Sequence, residues 1–280
     1  MSDKTAIAWT DATWNPVTGC SKVSPGCAHC YAEALSKRFG RSFEVALHPE
    51  RLDEPLHWRR PRRVFVCSMA DLFHDRVDDQ FIADVLWTAA VRAPRHVYQI
   101  LTKRPERMAE WFAAYGPDPR LSLLVAASNV WLGVSIENDR WIGRADILRD
   151  TPAAVRFISA EPLLGPLVHR CPDCDGDGYY PSHSGDASCY AGYCNNCPVQ
   201  TRCERCHESG WTGLDLTGID WLIIGGESGP HARPMKPEWV RDLIAAARAS
   251  GTAVFVKQMG GLRPGGPLPD EFNIREYPAS

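Results

Sequence analysis

Cys20, Cys27 and Cys30 stand in a C-x6-C-x2-C pattern directly after a tryptophan-rich, strand-like N-terminus. Three thiolates crowded on one loop usually hold metal rather than build a core. A closed structural zinc takes four ligands, whereas a [4Fe-4S] cluster held by three cysteines keeps one iron open for a substrate or cofactor, so a triplet leans toward chemistry. Spacing alone also allows a zinc completed by His29 or by a residue distant in sequence. Seven further cysteines crowd residues 171–206. Cys171-x2-Cys174 and Cys203-x2-Cys206 are two knuckles suited to one tetrahedral, all-thiolate zinc, because each tight turn brings two sulfur atoms to one ion. Cys189, Cys194 and Cys197, with His183 and His207 as candidate fourth ligands, read as a second zinc, as an auxiliary iron–sulfur cluster or as free thiols.

These groups need a scaffold to hold them. Short apolar runs at 64–67, 97–101, 131–134, 155–158, 221–224 and 254–256, with a less distinct first strand before Cys20, recur along the chain and most are followed by helix-like stretches. Their almost continuous apolar character predicts parallel strands covered on both faces. Phe81, Ile82, Val85, Leu86 and Ala89 repeat at helical spacing, as do Trp239, Val240, Leu243, Ile244 and Ala247; both sets read as core-facing stripes. The fold class is therefore α/β, a TIM-like (β/α) barrel, full or partial, built from 1–170 and 214–260. Residues 171–213 interrupt it as a cysteine-rich, zinc-ribbon insertion within one βα connection, too polar to form a core without metal. Residues 261–280 form a C-terminal extension, whose glycines and prolines predict a turn-rich surface segment.

In a βα barrel the loops after the strands open on one face, and chemistry gathers there. Ser68 and Asp71 follow the second run, and Lys103 and Arg104 the third. Ser135, Glu137 and Asn138 follow the fourth, Ser159 and Glu161 the fifth, Gly225, Gly226 and Glu227 the sixth, and Lys257 and Gln258 the seventh. Each alone is the ordinary polarity of loops. Their recurrence at nearly every strand end marks this rim as the active face, and a cysteine loop after the first strand would emerge on it too. Ser68, Asp71, Ser135, Glu137, Asn138, Gly225, Gly226 and Glu227 are the candidate cofactor-binding residues. Lys103, Glu161 and Lys257 are the candidate catalytic groups, since burial can bring a lysine or glutamate pKa toward neutrality.

The opening Ile-Ala-Trp-Thr-Asp-Ala-Thr-Trp-Asn-Pro-Val-Thr-Gly-Cys20, followed by Ser-Pro-Gly-Cys-Ala-His-Cys-Tyr-Ala32, resembles the phage gp-thirty-seven/gp-sixty-eight protein family, also described as a three-Cys-motif family. The stretches at 159–166, 225–230, 233–235 and 255–258 recur there in the same order. That resemblance implies kinship with radical S-adenosylmethionine enzymes. In these, three cysteines bind a [4Fe-4S] cluster, the cofactor's methionine moiety caps the fourth iron, and reductive cleavage yields a radical that abstracts hydrogen. It differs from them in two respects. Their usual spacing is C-x3-C-x2-C, and their Gly-Gly-Glu-like motif comes soon after the cysteine loop rather than at the sixth strand. The knuckle sequences Cys-Pro-Asp-Cys-Asp-Gly-Asp-Gly and Cys-Glu-Arg-Cys-His-Glu-Ser-Gly are similar to the cysteine-rich repeats of DnaJ-type chaperones, which implies zinc and not chaperone function.

Bulk properties exclude several classes. With 44% hydrophobic and 23% charged residues the chain has the balance of a soluble globular protein. It has no apolar run of roughly 20 residues, as a membrane span needs, and its opening Met-Ser-Asp-Lys-Thr, without an apolar stretch, does not look like a secretory signal. Clustered cysteines suit a reducing compartment, so the expectation is a cytoplasmic protein with no membrane partner. A net charge of -3 gives nucleic acid no global attraction. Contact through the local cluster Arg59, Arg60, Arg62 and Arg63 beside Trp58 stays open. The leading expectation is a radical-type iron–sulfur enzyme using S-adenosylmethionine and an electron donor, on an unknown substrate with a nucleic-acid-related one among the options. The rival is a non-catalytic, zinc-containing nucleic-acid-binding or docking protein of phage origin. Oligomeric state is not encoded legibly.

Overall fold

The computed structural model describes residues 5–115, 127–180, 201–262 and 265–279. Seven strands form its central sheet: β1 (Ala12–Trp14), β2 (Arg63–Val66), β3 (Val97–Thr102), β4 (Val130–Ser135), β5 (Val155–Ala160), β6 (Trp221–Gly225) and β7 (Ala253–Gln258). They lie in chain order and every neighbouring pair is parallel. Parallel neighbours need crossovers. Helices α2 (Asp79–Trp87), α3 (Pro105–Tyr115), α4 (Arg144–Asp150) and α5 (Pro237–Ala249) supply four of them, while α1 (Tyr31–Arg38) follows the cysteine loop. Asp78 caps α2, accepting from the Phe81 amide at 2.8 Å, and Pro237 opens α5 where a missing amide hydrogen costs nothing.

Period-two alternation decides which side of the sheet each residue serves. Val64, Val66, Tyr98, Ile100, Leu132, Val134, Ile158, Ala160, Leu222, Ile224, Val254 and Val256 join the main core with Phe81, Ile82, Val85 and Leu86 of α2 and Val240, Leu243 and Ala247 of α5. The intervening residues Phe65, Trp131, Phe157, Trp221, Ile223 and Phe255 form a second, largely aromatic cluster around Trp9 on the opposite face. The Trp9 ring lies 4.7 Å from Phe65 on β2 and 6.1 Å from Trp221 on β6. In a flat sheet those strands would stand about 19 Å apart, so the sheet curls into a half-barrel around the tryptophan. β1 and β7 remain the two ends of the sheet, so it is partial rather than closed.

Two segments depart from simple βα alternation. Between β5 and β6 the described residues contain no helix. Instead, an antiparallel stem pairs 168–170 with 211–213, and Leu167, Val168, Leu214, Leu216 and Ile219 are buried in the main core. The cysteine-rich insertion thus grows from a stem that occupies a crossover's place. The C-terminal tail is only in part the surface extension its turn residues predict: residues 265–271 are largely exposed, but the segment after them is tied down. Phe272 is buried, Ile274 and Glu276 bond the β7 backbone, and Tyr277 stacks on Trp221 and Phe255. Among the described residues no helix is long and apolar enough to cross a membrane.

Candidate functional site

The alternation that places Phe65, Trp131, Phe157 and Trp221 inside the curl continues to the strand ends, where the inward residues turn polar. A cavity of about 230 Å³ opens there, larger than isolated waters require. Its lining includes Cys20, Cys27 and Cys30 from the loop after β1, and Ser68, Asp71, Lys103, Ser135, Ser159, Glu161, Gly226, Glu227, Lys257 and Gln258 from the later strand ends. The cysteine loop is on the rim with the polar residues, as the order of the elements requires. Several of these groups, among them Ser135, Ser159 and Lys257, belong to the strands themselves rather than to loops.

The loop is clamped at each shoulder. Ser21 receives hydrogen bonds from Arg104 at 2.9 Å and sits 2.8 Å from the His74 ring. Ser24 donates to Glu137 at 2.5 Å, and Arg233 donates to the Pro25 carbonyl at 3.0 Å. His29 Nδ1 lies 3.0 Å from Glu227, and the Tyr31 hydroxyl donates to the Ser68 carbonyl. Gly26 packs directly on Glu137: a Cβ there would fall 2.5 Å from Oε1.

This clamping defines what the acids do. Glu137, fully buried behind the cavity wall, is shared by Ser24, Lys103 at 3.4 Å and Arg144 at 3.3 Å. Asp71 accepts from Thr102, the Lys103 amide, the Phe73 amide and Arg104. Burial opposes ionisation of Glu227, but hydrogen bonds from Arg233 and His29 outweigh it and hold the carboxyl at about 2. All three carboxylates brace the loop from different strands. Glu161 and Lys257 instead pair within the cavity at 2.5 Å. Of the remaining sequence candidates, Asn138 caps a short turn at the Arg140 amide and is not among the lining residues. Gly225 and Gly226 have packing roles: a Cβ would meet Glu161 at 3.0 Å and the Met259 carbonyl at 2.3 Å respectively. His29 makes its contact with Glu227.

Burial pushes the Cys20 thiol up and Asp71 adds to that, while Arg104, 3.6 Å from the sulfur, opposes it. Cys67, just past β2 in a left-handed conformation (φ 57°), lines the cavity as well, and burial raises its thiol. Arg104, Arg144, Arg233, Ser21 and Ser24 are the bracing residues that the assigned site lacked. Only Arg104, two residues past the end of β3, carried a positional signal, and one that any exposed arginine would give; Arg144, Arg233, Ser21 and Ser24 stand away from the strand ends and carried none. The basic cluster lies away from the cavity. Arg59, Arg60, Arg62 and Arg63 precede or open β2, at the opposite end of the sheet from the cavity, and Arg63 is engaged by Asp11 at 2.9 Å and by the Tyr277 ring.

The insertion holds a separate centre. Cys171, Cys174, Cys203 and Cys206 are buried and their sulfur atoms all lie within 4.8 Å of one another. Cys171 to Cys203 and Cys174 to Cys206 are each 3.6 Å, close to the about 3.8 Å edge of a tetrahedron with 2.3 Å metal–sulfur bonds. The knuckles mirror one another: Asp175 and His207 are left-handed, Gly178 packs on the Glu208 carbonyl and Gly210 on that of Gly176. Burial and the neighbouring thiols push Cys206 up to about 12, so thiolates there require a cation, and the set can hold a metal ion. His207 is exposed beside it. Cys189, Cys194, Cys197 and His183 lie outside the described residues. Among the described residues no other group converges so tightly, and Cys20, Cys27 and Cys30 are not drawn to a single point in this way.

No curated protein and no solved structure matches the chain. Residues 4–267 match the family DUF5131, described as a protein of unknown function, and the chain belongs to that family.

Proposed function

We propose that the chain is a radical-type iron–sulfur enzyme using S-adenosylmethionine, acting on a substrate admitted at the C-terminal rim of the half-barrel. One observation carries the reading: Cys20, Cys27 and Cys30 line the same cavity as the polar inward ends of the later strands. The donor set fits. Three thiols that line one opening supply the three ligands of a multi-iron cluster with a free corner. These three cysteines would hold the cluster, and Ser68, Ser135 and Ser159, which line the same cavity, would bond the cofactor. When bound, cluster and cofactor supply one-electron cleavage and hydrogen abstraction, which requires an external electron donor. The chain's own part is positioning. Trp9, Phe65 and Leu101 keep the inner wall apolar and exclude water, and the Lys257–Glu161 ion pair on the same wall would orient a polar substrate.

The four-cysteine centre belongs to a structural zinc that clips the insertion, supported by the 3.6 Å sulfur pairs and their burial. Purification without oxygen, followed by metal analysis, tests both parts. Brown protein with about four irons for one [4Fe-4S] cluster, plus zinc, that releases 5′-deoxyadenosine with dithionite and S-adenosylmethionine is the expected result. Colourless protein containing zinc alone sinks the enzymatic reading.

A further inference from the structure

We propose that α1 and the turn after it form a track for single-stranded nucleic acid leading to the cavity mouth. This names the substrate class for the site described above; it rests on that reading for catalysis, while binding is measurable by itself. Tyr31, Leu35 and Phe39 are 55%, 40% and 62% exposed. At i, i+4 and i+8 they share one face, a stripe about 12 Å long on a helix that would ordinarily bury it. The inner end is fixed: Tyr31 lines the cavity and its hydroxyl donates to the Ser68 carbonyl.

Cations flank this stripe. Arg38 and Arg41 are exposed beside it, while Lys22 and Lys37 are exposed towards the other side of the helix. The single acid among them, Glu33, is bracketed by Lys22 at 3.2 Å and Lys37 at 2.6 Å. Counted over both sides of the helix, residues 22–41 carry four cations and one acid, +3 in a chain whose net charge is -3, and the two arginines are the ones nearest the stripe. The next acid, Glu44, faces Arg76 at 4.0 Å. The Arg41 guanidinium lies 5.8 Å from the centre of the Phe39 ring. Charge decides the occupant. An apolar partner helix would need only the stripe, whereas phosphates need the cations, and unpaired bases stack on exposed rings. The arginines at 59–63 sit on the far rim and do not continue this track.

The test is fluorescence anisotropy with labelled single-stranded DNA and RNA oligonucleotides and the matching duplex, over a salt series. Phe39→Ala should weaken single-strand binding roughly 5- to 150-fold. The double change Arg38→Ala and Arg41→Ala should make the log–log salt slope shallower by about 1.4. Arg59→Ala with Arg60→Ala should change neither. All these side chains are exposed, so circular dichroism should match the parent protein. No single-strand binding, equal affinity for duplex, or binding that survives the Phe39 and arginine changes overturns the proposal, as does loss of binding in the Arg59 and Arg60 variant. Cys27→Ala should keep oligonucleotide binding. Parent protein that purifies without iron yet binds along α1 sinks the catalytic reading and leaves this one standing; iron-loaded parent protein that does not bind does the reverse.

Discussion

Glu227 sits 6% exposed beneath the cysteine loop, bonded by Arg233 at 2.6 Å and by His29 at 3.0 Å. Its folded pKa of about 2 lies below the roughly 4.3 of an unfolded glutamate. The carboxylate therefore contributes stability above about pH 4.3, and that contribution is lost as pH falls toward 2. Glu227→Gln should lower stability at pH 7 by on the order of 1–2 kcal/mol, and the gap from the parent protein should close between pH 5 and 2. Melting both proteins across that range checks it; parallel curves would show that the ion pair contributes nothing. Gly26 makes a second, sharper case. Its α-carbon is packed on Glu137 with no room for a methyl group, so Gly26→Ala should displace the loop and cut iron per chain with little change in melting. Full iron retention would show that the loop gives way without consequence.

Among the elements, the two knuckles are the most self-contained. Each is a tight turn presenting two cysteines, and their backbones interlock: the Cys171 amide bonds Gly210 at 2.9 Å and the Cys203 amide bonds Gly178 at 3.0 Å. With four buried thiols and, among the described residues, no apolar core of its own, this unit would depend on the proposed zinc. Cys203→Ala, or a strong chelator, should release the metal and open residues 171–213 to limited proteolysis, while the half-barrel's melting persists. Protease resistance in metal-free protein would refute the assignment. The strands show a different dependence. Their positions were readable from apolar runs, but β3 to β7 extend one or two residues further, as at Ser135, Ser159 and Lys257, because parallel neighbours continue to satisfy the backbone there.

At the scale of the whole molecule, the curl and the tail act together. Tyr277 covers Trp221 and Phe255 and lies under the Arg63 guanidinium, 4.0 Å from its ring centre, so the chain's last residues link β2 with β6 and β7. Phe272 is 1% exposed. Phe272→Ala should cost about 3–5 kcal/mol, and removal of residues 269–280 should lower the melting temperature markedly; an unaltered melt would return the tail to the status of a surface extension.

The sequence by itself determined the parallel βα order, the stripes of α2 and α5, and the pairing of the two CxxC knuckles, because these depend on local periodicity and spacing. It also brought the cysteine trio and the strand-end residues to one rim, since strand polarity alone puts them there. What only the tertiary structure decided is the division of labour on that rim. Glu137, Asp71 and Glu227 look like cofactor contacts in one dimension, yet each is taken up by an arginine from a different element. Glu161 and Lys257 come together across 96 positions. Carboxylate roles follow from which cation reaches them first, and that is fixed by how tightly the sheet curls, a property carried by long-range aromatic packing around Trp9 rather than by any local stretch of chain.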